Sequence, residues 1–183
     1  MKITLITGNL NKAKEIREIL SKYGIELIVQ DLEIAEIQSD DLKEIVLNYI
    51  REAYKIIKDK IIVEDSGLFV NALKGFPGPY SSYVYKTIGN EGILKLMKDI
   101  EDRNAEFISV IGYKDEENEK IFEGKTKGKI SYSIKGKGWG FDPIFIPEES
   151  NKTYGEMNIE EKNQVSHRGK AIEKFLEWYL KKN

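Results

Sequence analysis

Apolar residues recur along this chain at two different spacings. A strand pattern over residues 2–7 gives way to a helical stripe of Ala13, Ile16, Ile19 and Leu20, which the Tyr23-Gly24 pair stops before a second strand at 25–30. After an acidic, irregular stretch at 31–40, Asp41 and Glu44 form a capping box. It precedes a long helix with Leu42, Ile45, Val46, Tyr49, Ile50, Ala53, Ile56 and Ile57 on its buried face. The β-branched run Ile61-Ile62-Val63 then predicts a buried strand ending at Glu64-Asp65-Ser66-Gly67. Residues 80–97 read as helices interrupted near Gly89-Asn90, and 103–112 and 119–133 as antiparallel strands joined by an acidic turn at 115–118. A second capping box, Asn158 with Glu161, opens a short helix. Ser166 to Gly169 opens the last one, with Ile172, Phe175, Leu176, Tyr179 and Leu180 as its core face. Strands alternating with helices, then a run of strands, predict an α/β fold with a mixed β-sheet and flanking helices.

Composition narrows the class. The chain of 183 residues suits one domain, and it contains no cysteine, which excludes disulfides, thiolate metal sites and thiol nucleophiles. A cytoplasmic setting is expected. The first residues form a short strand rather than a leader, and no run approaches the roughly 18 apolar residues of a membrane helix. A net charge of -2 argues against a general nucleic-acid binder.

Several stretches carry candidate chemistry. The adjacent carboxylates Glu64 and Asp65 repel each other, so either a cation such as Mg2+ neutralises them or they form a solvated turn after a core strand. Glu36, alone, reads as a solvated loop residue. The strand-turn-helix junction Thr7-Gly8-Asn9-Leu10-Asn11-Lys12 offers helix N-terminal donors and a lysine to an anion, or else Asn9 or Asn11 merely caps the helix. It is not a Walker A loop, whose glycine spacing is missing. Residues 75–81 are a stiff turn that either shapes a site or redirects the chain. In the glycine-rich segment 135–143, Trp139 and Phe141 offer flat surfaces and Asp142 an acceptor, which suits a nucleobase. The same segment also reads as a strand connection with its aromatics in the core, or as a single-strand RNA surface with Lys135 and Lys137 on phosphates. Net acidity weighs against the last. His167, the one histidine, is either incidental or, with Arg168, a pair of cationic donors opposing a helix dipole that an anionic or carbonyl-bearing ligand would relieve.

Taken together, residues 7–12, 63–68, 75–81, 138–143 and 161–168 resemble, in order and over nearly the whole chain, the non-standard purine nucleoside triphosphate pyrophosphatases, also called inosine triphosphate or dITP/XTP pyrophosphatases. The resemblance implies a single domain over 1–183, an elongated mixed sheet in two lobes around a central cleft, and usually a homodimer. It also implies Mg2+-dependent hydrolysis of ITP, dITP and XTP to monophosphate and pyrophosphate; from hydropathy and charge, no membrane or nucleic-acid partner is expected. By the same resemblance Thr7, Gly8, Asn9, Leu10, Asn11 and Lys12 hold the triphosphate with Ser66 nearby, Glu36 and Asp65 face the metal, and Glu64 supports it. Asp65 would take the proton of the attacking water. Trp139, Gly140, Phe141 and Asp142 would line the base pocket, and Lys162, His167 and Arg168 would contact the nucleotide. Many relatives carry Phe where this chain has Trp139, and Tyr or Trp at Phe141, so base contacts are expected to differ in detail.

Overall fold

A computed structural model describes residues 1–183. The strands are β1 (Lys2–Ile6), β2 (Glu26–Gln30), β3 (Ile61–Val70), β4 (Pro77–Gly78), β5 (Asn104–Lys114), β6 (Glu119–Ile130) and β7 (Phe145–Pro147). The helices are α1 (Leu10–Ser21), α2 (Leu42–Ile57), α3 (Ser81–Thr87), α4 (Gly89–Leu96), α5 (Ile159–Val165) and α6 (His167–Lys182). They build one seven-stranded mixed sheet in the order β2-β1-β3-β5-β6-β7, with β4 beside β3. β1 runs parallel to β2 and β3, while β3, β5, β6 and β7 pair antiparallel.

Strand alternation divides the core. Ile62 and Ile111 face α1 and α6 in a cluster with Ile16, Leu20 and Phe175, while Ile61, Val63 and Val110 face α2 through Val46 and Ile50. A third cluster, with Leu68, Phe107, Phe145 and Tyr154, fills the far end of the sheet. Where α6 crosses β6, Gly124 leaves no room for a side chain: an added Cβ would lie 2.2 Å from the His167 carbonyl oxygen and 2.4 Å from the Ala171 nitrogen. Gly124→Ala is therefore expected to cost about 2–3 kcal/mol, read as a lowered urea midpoint, because backbone cannot yield as a side-chain tip can. An unchanged midpoint would refute that packing.

Three expectations need correction. β3 does not stop at the acidic pair; it continues for ten residues, because β5 pairs with it from Ile61↔Lys114 to Val70↔Ala105. Ile56 and Leu180 lie outside the core at 59% and 37% exposure, so each helical stripe is narrower than periodicity suggested. Each capping box is only half made. Asp41 accepts from the Lys43 N–H while Glu44 takes the Ser39 hydroxyl, and Asn158 accepts from the Glu161 N–H while Glu161 pairs with Lys152.

The pairing pattern creates an opening. β1 matches β3 only at Thr4↔Ile61 and Leu5↔Ile62, and β4 meets it only from Leu68↔Gly78. Between these, residues 63–67 present an edge with no neighbouring strand, just where β1 ends and α1 begins. Open α/β sheets bind ligands at such a place.

Candidate active site

Neighbours on a strand point to opposite faces, and Glu64 and Asp65 meet opposite environments. Glu64 is buried among cations: its Oε2 accepts from Arg168 Nε at 2.7 Å and from the Ser109 hydroxyl at 2.8 Å, while Oε1 stands 2.9 Å from Lys12 Nζ. Burial alone would raise its pKa, but Arg168 and Lys12 outweigh it and hold the carboxyl down at about 2. Asp65 has no such partner. Its Oδ1 accepts from the Ser66 N–H at 2.9 Å, and its Oδ2 is buried with no hydrogen bond at all. Burial pushes the group up to about 7; Lys12 opposes this, and the charges of Glu36 and Glu64 reinforce it.

Residues Glu64 and Asp65 border, with Glu36, one cavity of about 150 Å³, together with Thr7, Gly8, Lys12 and Tyr49. The irregular loop after β2 thus brings Glu36 to β3. An orphaned carboxylate oxygen repelled by a second carboxylate is the chemistry that a hard cation relieves. No three His, Cys, Asp or Glu side chains gather closely enough to hold an ion unaided. The donor set suits Mg2+, which keeps waters and takes phosphate oxygens alongside one or two carboxylates. A larger open depression of about 890 Å³, bordered by Phe69, Glu106, Lys127 and Ile146, holds no comparable group of acids. Volume does not locate the chemistry here.

At the junction of β1 and α1, Asn9 is the N-cap, accepting from the Lys12 N–H at 3.1 Å, and the Thr7 hydroxyl accepts from the Asn9 N–H at 3.0 Å. Capping and anion binding are compatible. The Gly8–Asn11 backbone still presents first-turn donors that have no intrahelical acceptor, with the positive end of the helix dipole behind them. Lys12 Nζ crosses to the open edge of β3 and donates to the Glu64 carbonyl at 3.0 Å. Gly8 is packed against Asp31, whose carboxylate a Cβ would meet at 2.9 Å.

The segment before β7 packs against α1 beside this junction. Trp139 is half-buried and donates its indole N–H to Glu15 at 2.6 Å, while Lys162 and Arg168 lie over its ring at 5.1 and 5.2 Å from the centroid. Lys162 bridges Glu15 at 2.7 Å and Asp142 at 2.8 Å. Burial raises the Asp142 pKa, and Lys162 opposes it. Arg168 donates to Glu15 at 2.8 Å and to the Ser66 hydroxyl at 2.9 Å.

Two expected roles change. Phe141 is 4% exposed and its ring meets Tyr85 edge-on in the core, so it offers a ligand no free face. Its side chain anchors the segment from behind. His167 is buried and stacks on Phe107 at 4.4 Å; burial, then the charge of Arg168, push its pKa well below the ordinary value, so it is neutral. The supposed clash of two cations with the α6 dipole does not arise, since Arg168 alone is charged and two carboxylates hold it.

Glu15, the joint of this network, was not anticipated from sequence. It sits beside Ile16 on the buried side of α1 and looks there like a solvated helix glutamate. Its position three residues after Lys12, and so on the same helical face, was the available clue.

The Ham1 family profile matches residues 3–178. A dITP/XTP pyrophosphatase from Pyrococcus horikoshii is 51% identical over 179 residues, 97% of this chain and 96% of that protein. The dITP/XTP pyrophosphatase of Methanopyrus kandleri is 50% identical over 181 residues, covering 98% and 96%. A HAM1 protein from Coxiella burnetii superposes with a TM-score of 0.86 at 29% identity over 99% of both chains.

Proposed function

The chain belongs to the Ham1 family, and from that premise we propose that it hydrolyses non-standard purine nucleoside triphosphates, ITP, dITP and XTP, to the monophosphate and pyrophosphate. This removes deaminated purines from the nucleotide pool. The observation that carries the reading is the convergence of Lys12, Glu36, Glu64 and Asp65 at the open edge of β3, with half-buried Trp139 tied to α1 through Glu15. We place Mg2+ at Asp65 and Glu36, with Glu64 behind them. When bound, it would supply charge neutralisation for the reacting phosphates.

This chain's own residues do the rest. Thr7, Asn9, Lys12 and the Gly8–Asn11 backbone hold the phosphates, and Ser66 borders them. Asp65, raised by burial and by the charges of Glu36 and Glu64 in the cation-free protein, accepts the proton of the attacking water. Trp139 stacks on the purine, Gly140 and Phe141 contribute backbone, and Asp142 and Lys162 border the ring. A 6-oxo group accepts a hydrogen bond where adenine carries an amino donor, so an N–H donor at that position favours hypoxanthine and xanthine; Arg168, buried against the Trp139 ring, holds that wall in place. His167 supports that wall from within the core.

The proposal extends to a single domain of two lobes around this cleft, working as a homodimer in the cytoplasm. The division of the core into separate clusters supports the lobes. No helix is long and apolar enough to cross a membrane.

Purified protein with Mg2+ is expected to release pyrophosphate, not orthophosphate, from ITP, dITP and XTP at least about a hundredfold faster than from ATP. Chelation with EDTA should abolish the release, and Mg2+ restore it. Faster turnover of dUTP or TTP would overturn the purine assignment; tight ITP binding without release would make the protein a sensor.

A further inference from the structure

The segment before β7 has a backbone built like a hinge. Gly138 and Gly140 sit at φ +98° and +59°, so Trp139 hangs between two residues in the left-handed region that side chains rarely adopt. Such a segment keeps one shape only if each peptide is held. On one side the hold is evident: the Trp139 carbonyl accepts from the Asp142 N–H at 3.2 Å, and the indole donates to Glu15. On the other side the Gly140 carbonyl turns towards α4, where the Asn90 side-chain amide donates to it at 3.1 Å.

Asn90 lies in the first turn of α4, directly after left-handed Gly89 at φ +63°, on an element that carries none of the catalytic groups. Tyr85 of the preceding helix meets Phe141 at 5.5 Å, so this helical pair grips the segment at two adjacent residues. The second amide atom of Asn90, Oδ1, is buried and has no partner. Leaving an acceptor unpaired costs stability, and a leucine of similar shape would avoid that cost. The bond to Gly140 is the use to which this amide is put.

We propose that Asn90 is a positioning residue for purine recognition: by holding the Gly140 carbonyl it fixes the Gly138–Phe141 hinge so that Trp139 stands as one wall of the base slot. The proposal rests on the reading of that slot as the purine site. Without the amide the Gly140 carbonyl loses its partner, the two glycines on either side of Trp139 are free to change their φ and ψ while Phe141 stays anchored, and Trp139 leaves its place against Glu15, Lys162 and Arg168. The loss falls on the base. Asp65 and Lys12 belong to other elements, so the phosphate chemistry keeps its groups.

The test uses the full chain labelled with 5-fluorotryptophan, which gives one fluorine resonance for each of its 2 tryptophans, assigned with Trp178→Phe. In Asn90→Leu and Asn90→Asp, neither of which can donate to Gly140, the Trp139 resonance should shift and broaden while that of Trp178 stays. KM for ITP should rise about tenfold, the scale of one lost hydrogen bond, with kcat reduced less than about threefold. The preference for ITP over ATP should shrink in step, and Asn90→Gln, which keeps the donor, should recover part of it. A folded Asn90→Leu with its Trp139 resonance unmoved, or with KM within twofold of wild type, would overturn the assignment. Should the wild type hydrolyse no purine triphosphate, the proposed function falls, while the fluorine spectrum still decides whether Asn90 holds the segment.

Discussion

Asp65→Asn is expected to lower pyrophosphate release from ITP by about a thousandfold or more, the range spanned by loss of a general base, and at the same time to make the metal-free protein more stable. The two effects share one cause. Asp65 has a folded pKa of about 7 against about 3.9 in an unfolded chain. The folded state therefore binds the extra proton between those values, and stability falls as pH rises from about 4 through 7. By pH 8 the buried, unpaired carboxylate costs on the order of 4 kcal/mol, which asparagine would not incur. Thermal unfolding in EDTA at pH 8 should show the variant melting above the wild type, and the gap should close towards pH 4. Mg2+ should stabilise the wild type and leave the variant nearly unmoved. In the pH dependence of kcat/KM, the acidic limb should move to lower pH as Mg2+ rises, because a nearby cation favours the carboxylate. A variant with near-normal turnover, or one less stable than wild type in EDTA at pH 8, would remove Asp65 from this role.

The second large effect concerns Arg168. Its guanidinium is 1% exposed and bonds Glu64, Glu15 and Ser66. Arg168→Ala leaves two buried carboxylates without their principal partner, and breaking a buried pair in this way costs about 3–5 kcal/mol. Urea unfolding at pH 7 should show that loss, with ITP binding lost as well. Arg168→Lys should recover part of the stability but little of the binding, because an ammonium cannot fork across three acceptors. The acid side tests the same cluster. Glu64 is depressed to about 2, so its contribution is present above about pH 4.3 and disappears as pH falls towards 2. His167 is also depressed, so it withdraws stability once pH falls below about 6.5, where the unfolded chain takes up its proton. Between about pH 7 and 4 the loss from His167 runs against the gain from protonating Asp65, so the stage to read is the one below about pH 4.3, and Arg168→Ala should lack most of it.

Much of this was legible in the sequence where local rules and tertiary demands coincide. The β1–α1 junction could be located because a strand, a Gly/Asn turn and a helix follow one another within a few residues, and Asn9 caps as its type predicts. Glu64 and Asp65 could be singled out because paired carboxylates at an apolar strand need a reason. Their difference could not be seen, since it depends on which face meets Arg168, from a helix about a hundred residues later, and which meets Glu36. β3 read as ending early for a related reason: acidic residues look like a strand end until β5 is known to pair through them. Phe141 was open to a core reading and His167 to an incidental one, and it was the family resemblance that made both into nucleotide contacts. Their burial is set by Tyr85, Phe107 and Tyr154, to which nothing local points. Glu15 was hidden by the helix pattern itself.

The bridging of Glu15, Glu64, Asp142, Lys162 and Arg168 into one dry knot has a thermal consequence. Water solvates ions less favourably as it warms, so the penalty for withdrawing these five charges from it shrinks on heating, while their mutual attraction persists. The walls of the slot should thus be held most firmly when the surrounding solvent is hot.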